Sequence, residues 1–249
     1  MTKPTKTLLK LSLAAPLALA LAACGGEAGD VAEGDALAAV PAPDGTSWTE
    51  TVTVSDSDGY ILGNPDAPIK LVEYASHTCG ACANFSATAK PGIKQYVETG
   101  VVSFEQRNLV REPLDLTIAT LVRCGPKENM QTLSDMAWEA LPQISNTLQA
   151  NGQVYQAAAS LPADQRFLAI AQAAGLIEFF AARGVSADQQ RACLTDEAAI
   201  TQIAQNSTDQ ANELGIRSTP TFLINDSKVD ALSWADLEPI LQNRGARPE

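Results

Sequence analysis

The chain has 249 residues, 45% of them hydrophobic, with 17 basic against 29 acidic side chains and a formal charge of −12. That is enough apolar material to bury one core well and a smaller second one. The acidic balance excludes nucleic acid as a partner, because binding it needs a basic surface to neutralise phosphates, and it reads instead as a solvated surface that keeps the protein soluble.

The chain begins with Lys3, Lys6 and Lys10, followed by an apolar run from Leu11 to Ala23. Residues 1–23 therefore read as the charged and hydrophobic regions of an export signal. The run is shorter than the roughly 20 apolar residues of a spanning helix, contains Pro16, and gives way to a Gly-rich, acidic stretch. Leu21-Ala22-Ala23-Cys24 resembles the lipobox of bacterial lipoproteins. The resemblance implies cleavage before Cys24 and lipid attachment at its thiol. The alternative is ordinary cleavage that leaves Cys24 a spare thiol. Several acyl chains anchor a protein stably, since each buried CH₂ contributes about 0.8 kcal/mol. Loss of the segment removes three lysines and no acid, taking the charge from −12 to −15. The expectation is an exported, membrane-anchored lipoprotein facing the periplasm or the cell exterior. Residues 24–47 are Ala, Gly, Asp, Glu and Pro with almost no large apolar side chain, and are expected to form a flexible spacer.

The remainder alternates strand and helix. Ile69-Lys70-Leu71-Val72-Glu73-Tyr74 is a short apolar run behind a Gly63-Asn64-Pro65 turn signal, and predicts a central strand. A helix is expected from about Cys79 to Glu98, with Thr78 as N-cap, Gly100 as terminator and a kink at Pro91. Val101 to Val110 predicts a second strand, which completes a right-handed β-α-β unit. From Pro113 to about Leu214 the sequence is helical, with breaks near Pro142, Gly152, Pro162 and Gly184, a block long enough for its own small core. A strand at Thr221–Asn225 and a helix from Trp234 to Gln242, capped by Ser233, close the chain. The pattern is one α/β domain, residues 48–112 and 215–249, split by a helical insertion over 113–214.

If Cys24 is lipidated, four cysteines remain, Cys79, Cys82, Cys124 and Cys193, and four allow three pairings. Cys79 and Cys82 stand at a strand-to-helix junction. The first thiol falls at the helix N-terminus, where partial positive charge and free amides stabilise a thiolate, and reads as the attacking sulfur. Cys82, one turn inside, would resolve a mixed disulfide. A zinc site is the competing reading, but ribbon-type sites need a second such pair, and here the only histidine, His77, lies beside the first. A purely structural bridge between Cys79 and Cys82 would close so small a loop that it removes little unfolded-state entropy. Redox use is the better explanation, with neither a metal nor a cofactor required.

Several linked features carry a resemblance to the DsbA-like branch of thioredoxin-fold proteins, from about Gly63 to the C-terminal helix. They are Gly63-Asn64-Pro65-Asp66-Ala67-Pro68 ahead of the strand, Glu73 before the pair, Cys79-Gly80-Ala81-Cys82, Pro91, and Thr219-Pro220-Thr221 before the last strand. The resemblance implies a thioredoxin fold interrupted by an all-helical insertion. It further implies a cis Thr219–Pro220 bond beside the pair, with the backbone of Thr219 binding substrate, and Glu73 as proton acceptor for Cys82. It implies a structural disulfide between Cys124 and Cys193, redox regulation being the other role open to them. His77 could stabilise the thiolate when protonated or help shape the substrate groove; it is taken as a substrate-groove residue.

Gly80-Ala81 lacks the His or aromatic residue of strongly oxidising relatives and the Pro of thioredoxin, which leaves the direction of electron flow open. The first expectation is an oxidase of thiols in exported proteins, recycled by a membrane or small-molecule redox partner. A reductase or isomerase kept reduced by a membrane donor, and a non-catalytic client-binding module on a lipid anchor, are the alternatives.

Overall fold

A computed structural model of the chain describes residues 1–2 and 34–248. The chain separates into two units, Met1–Val31 and Ala32–Glu249, and the fold below is that of the second. The expected export signal and Cys24 lie outside the described residues.

Six strands form one mixed sheet. They are β1 (Val52–Val54), β2 (Tyr60–Leu62), β3 (Ile69–Ala75), β4 (Val102–Asn108), β5 (Thr221–Ile224) and β6 (Ser227–Val229), in the order β1-β2-β4-β3-β5-β6. β3 runs parallel to β4 and every other pairing is antiparallel. β3 is central, as expected, and six of its seven residues are buried. The strands absent from the sequence reading, β1, β2 and β6, are three residues each at the margins of the sheet. So short a run leaves little room for a period-2 pattern.

Helix α1 (Gly80–Glu98) connects β3 to β4. Its N-cap is Cys79, whose sulfur accepts the Cys82 amide, and not Thr78 as the sequence suggested. Pro91 leaves the helix continuous to Glu98. The carbonyl that Pro91 deprives of a donor belongs to Ala87, on an exposed turn where water can replace the bond. Gly92 follows because the Trp234 indole packs where a Cβ would stand, 2.7 Å from its nearest ring atom. After Thr99, Gly100 adopts φ +70° and ends the helix.

The insertion is built from α2 (Pro113–Val122), α3 (Met130–Glu139), α4 (Leu141–Ala150), α5 (Gly152–Ala159), α6 (Ala163–Ala173), α7 (Leu176–Ala181), α8 (Ala187–Thr195) and α9 (Glu197–Glu213), and α10 (Trp234–Asn243) closes the fold. The insertion does not form the separate core expected of it. Phe85 and Ile93 of α1 and Phe104 of β4 belong to one continuous apolar cluster with Leu114, Ile118, Ile170 and Phe180 of the insertion. α2 is the reason: nine of its ten residues are buried, so it packs on all sides and joins the two halves.

The stretch 34–47, expected to be flexible, is held against the domain in the structure. The Leu37 amide donates to Gly245, the Val40 amide to Thr99, and the Trp48 indole to the Val40 carbonyl at 2.7 Å. Leu37 and Val40 remain about 40% exposed, so main-chain hydrogen bonding holds the segment and apolar burial does little; a reading based on apolar content cannot see this.

Cys124 and Cys193 form a disulfide across a sequence separation of 69, tying the end of α2 to α8. Closing a loop of that length lowers unfolded-state entropy by an amount worth at most about 4 kcal/mol. A Cys124→Ala/Cys193→Ala variant is therefore expected to lose up to about 4 kcal/mol in urea unfolding while keeping the far-ultraviolet circular dichroism of the parent.

Candidate active site

The end of β3 delivers the chain to the pair. Ala75 is the last strand residue, and Ser76, His77 and Thr78 bend into the N-terminus of α1. The Ser76 carbonyl takes the Cys79 amide at 3.2 Å and the Trp138 indole N–H at 2.9 Å. Trp138 comes from α3 and packs with Ala75, Cys79 and Cys82 in a small buried cluster. The insertion thus supplies an apolar wall of the redox pair, a residue that the sequence reading missed; a lone Trp in a long helical block carries no signal of its destination.

Both cysteines are free thiols here. Cys79 is 6% exposed and Cys82 fully buried, while Gly80 and Ala81 between them are exposed. The Cys79 thiol donates to the Thr219 carbonyl at 3.4 Å, and its sulfur accepts the Cys82 amide at 3.4 Å. Burial pushes its pKa up. Hydrogen bonding at Thr219, to the Cys82 thiol and from the amides of Cys82 and Ala81 outweighs burial and leaves it below the ordinary thiol value. Cys82 goes the other way, raised first by burial and then by the nearby charge of Glu73. Helix position and burial together hold the two sulfurs on opposite sides of the ordinary thiol value. The Thr219–Pro220 peptide is cis, and Pro220 leads directly into β5.

Glu73 sits in the middle of the sheet, in register with Gln106 of β4 and Phe222 of β5. Phe222 packs on Phe85 of α1 at 4.5 Å between ring centroids, so this row of side chains faces the helix that carries the cysteines. The carboxyl is fully buried, and neither oxygen has a hydrogen-bond partner among the described residues. Burial raises its pKa to about 8, with Lys90 opposing and Asp135 and Cys79 adding to the rise. Lys90 of α1 is occupied elsewhere: it bonds Gln131 at 2.8 Å and Asp135 at 2.9 Å and lies over the Phe104 ring.

His77 corrects the sequence expectation. It is 0% exposed and cannot line a groove for substrate. Burial lowers its pKa to about 3, helped by the Arg123 and Lys90 charges, so it is neutral and supplies no cation to a thiolate. The ring stacks on Trp138 at 5.2 Å, and Nε2 meets the Ser134 hydroxyl at 2.9 Å.

Beyond Cys82, a groove of about 650 Å³ runs between α1 and α3, walled by Ala83, Ala87, Pro91, Met136, Trp138 and Glu139. No cluster of three or more metal-ligating side chains occurs among the described residues, and no described helix is long and apolar enough to cross a membrane.

A two-cysteine N-terminus of a helix, placed after the central strand and beside a cis-proline loop, is the site of a thioredoxin-type protein. A family model described as thioredoxin (Thioredoxin_4) matches residues 55–243, and the chain belongs to that family. Among solved structures, a protein-disulfide isomerase from Novosphingobium aromaticivorans superposes with a TM-score of 0.70 at 29% identity, covering 75% of this chain and 97% of that one. Wolbachia pipientis alpha-DsbA1 superposes with a TM-score of 0.59 at 21% identity over 76% of this chain and 91% of its own, which shows the DsbA-like form of the fold. Among curated sequences, a "Putative protein-disulfide oxidoreductase" of Rickettsia bellii is 34% identical over 83 residues, 33% of this chain and 32% of that protein. Its Rickettsia felis counterpart is 24% identical over 191 residues, 74% of this chain and 61% of that protein. The chain thus spans between about a third and three fifths of these relatives.

The buried carboxyl makes stability depend on pH. Glu73 ionises near 4.5 when unfolded and near 8 when folded. The folded state therefore holds the extra proton, and the associated stability is complete below pH 4.5 and lost as pH rises through 8. Glu73→Gln removes this loss. The variant is expected to gain stability over the parent, on the order of a few kcal/mol at pH 8.5, and to show no such gain at pH 4.5, as read from urea midpoints at the two pH values.

Proposed function

We propose that the chain is an exported protein thiol–disulfide oxidoreductase that donates its Cys79–Cys82 disulfide to cysteine pairs of other exported proteins. The observation that carries this is the split environment of the pair: one sulfur capping a helix and held low, the other buried and held high beside a neutral carboxyl.

The reaction follows from those environments. A substrate thiolate attacks Cys79 of the oxidised pair, forming a mixed disulfide and expelling Cys82 as a thiolate. Glu73, protonated at neutral pH, gives Cys82 its proton, which avoids leaving charge on a buried sulfur. A second substrate thiolate then attacks the substrate sulfur of the mixed disulfide. Cys79 leaves as a thiolate stabilised by the helix N-terminus, and the substrate carries away the disulfide. Two electrons now reside on the enzyme's dithiol, and a membrane or small-molecule acceptor must remove them. The Thr219 main chain, with Pro220, is the binding edge for an extended substrate segment; its carbonyl is released when the Cys79 thiol that occupies it loses its proton. Stabilising the Cys79 thiolate stabilises the reduced form, which favours the oxidising direction over a reductase or isomerase.

The chain is further proposed to act on a lipid anchor at Cys24, with 34–47 lying on the domain as its last tether segment. Cys24→Ala is expected to shift the mature protein from the detergent to the aqueous phase on partition.

Cys79→Ser is expected to abolish thiol oxidation, and Cys82→Ser to accumulate mixed disulfides with substrate, both read by non-reducing gels and mass spectrometry. The reduction potential, equilibrated against glutathione, is expected near about −120 mV; a value near about −270 mV assigns the reductase direction instead.

A further inference from the structure

We infer that Asp115, a residue of the insertion remote in sequence from both cysteines, is a positioning residue for the redox reaction: its buried carboxylate clamps the Ser76–Cys79 loop and so fixes the hydrogen bonds that set the two sulfurs apart. This rests on the redox reading of the pair.

Asp115 stands in the first turn of α2 and is 0% exposed. One carboxylate oxygen takes the His77 amide at 2.8 Å and the other takes the Arg111 amide at 3.0 Å. The Ser76 side chain supports the same carboxylate. Among the described residues no cation shares the site: the His77 ring, its Nδ1 3.8 Å away and without a hydrogen-bond partner, is held neutral by burial. A buried carboxylate without a counter-charge is costly unless several donors hold it, and here one donor, the His77 amide, comes from the loop that leads to Cys79 and another, the Arg111 amide, from the β4–α2 connection.

The residue before His77, held in place through it, bears on both sulfurs. The Ser76 carbonyl receives the Cys79 amide, which orients the N-cap, and the Ser76 backbone pulls the Cys82 thiol back towards its ordinary range. Thr78 is tied to the Ser76 hydroxyl through its amide and its own hydroxyl. Loss of one acceptor at Asp115 leaves an N–H of the loop unpaired in a dry site, where it must move to find water or another partner. The helix cap at Cys79 then loosens, the thiolate loses support, and the reduced form becomes less favourable.

The charged and titratable groups around Asp115 are few. Glu112, which caps α2 and accepts the Tyr155 hydroxyl, raises its pKa, while burial is the main cause of its rise to about 6. The amides of His77 and Arg111 are therefore expected to report a common proton uptake near that pH in the parent.

The test compares the full chain with Asp115→Asn, which keeps shape but turns one acceptor into a donor facing an N–H. At pH 7.5, above the Asp115 pKa of about 6, alkylation of Cys79 by iodoacetamide is expected to slow by about three- to ten-fold, as for the net loss of one hydrogen bond. The equilibrium constant of the pair with glutathione is expected to shift towards the disulfide by a similar factor. Ser134→Ala, which disturbs the other side of the His77 ring but leaves the donors of Asp115 in place, is the control and keeps parental values. Unchanged alkylation and equilibrium in a folded Asp115→Asn, or an equal change in Ser134→Ala, overturns the inference. If Asp115→Asn does not fold, the parent decides: His77 and Arg111 amide resonances that share one titration between pH 5 and 7 support the clamp, and resonances that do not overturn it. A parent without thiol oxidation or reduction refutes the redox reading itself, which is a separate result.

Discussion

One sulfur atom ends its own helix, and much of the site follows from that. The Ncap position of a helix must offer an acceptor to the orphan amides of the first turn, and serine, threonine and aspartate usually supply an oxygen. Here Cys79 fills the position with Sγ, which accepts from Cys82. The cap is better the more negative its acceptor is, so the helix favours the thiolate and the thiolate favours the helix. Reaction at Cys79 and order at the start of α1 are then one equilibrium. Whatever positions the three residues before Cys79 also sets how readily its sulfur gives or takes electrons.

This explains why the insertion cannot be treated as a decoration on a smaller fold. It reaches the site at two points, Trp138 on the sulfurs and Asp115 on the loop before them, and shares a continuous core with the sheet through α2. The Cys124–Cys193 disulfide lies at the far end of the same helix α2. Bracing α2 at that end limits how far its first turn can drift, and hence how far the Ser76–Cys79 loop can follow.

The central strand, the cysteine helix and the helical span from Pro113 were legible in the sequence because each has a local signature: a short apolar run, a CxxC spacing, Ala- and Leu-rich stretches; the cis-proline loop was legible only through the family resemblance that Thr219-Pro220-Thr221 helps to carry. The environments of side chains were not. His77 beside the pair suggested a surface role, yet its ring is buried on Trp138, which lies 61 positions further along the chain, and local sequence does not encode so distant a contact. Asp115 carries no local signature, and its contact with the His77 amide becomes visible only when α2 is brought to the end of β3. Thr78 is a plausible N-cap by residue type, but the helix begins one residue later and the position falls to the sulfur of Cys79.

Glu73 shows how finely such a site depends on what does not touch it. A buried lysine within electrostatic reach would normally pair with a buried acid and hold it ionised. Lys90 is instead engaged by Asp135 and Gln131, with its ammonium over the Phe104 ring, and Asp135 itself pushes the Glu73 pKa upwards. The lysine charge is thus largely answered before it reaches Glu73, whose two oxygens stay without partners. A directly paired Glu73 would be an anion throughout the neutral range, with no proton to give and a strong repulsion for a Cys82 thiolate. Left unpaired, it ionises close to neutrality, which is where a carboxyl must lie to pass a proton to and from a thiol within one catalytic cycle. The diversion of Lys90 to α3 is therefore as much a part of the proposed chemistry as the placement of Glu73 on β3.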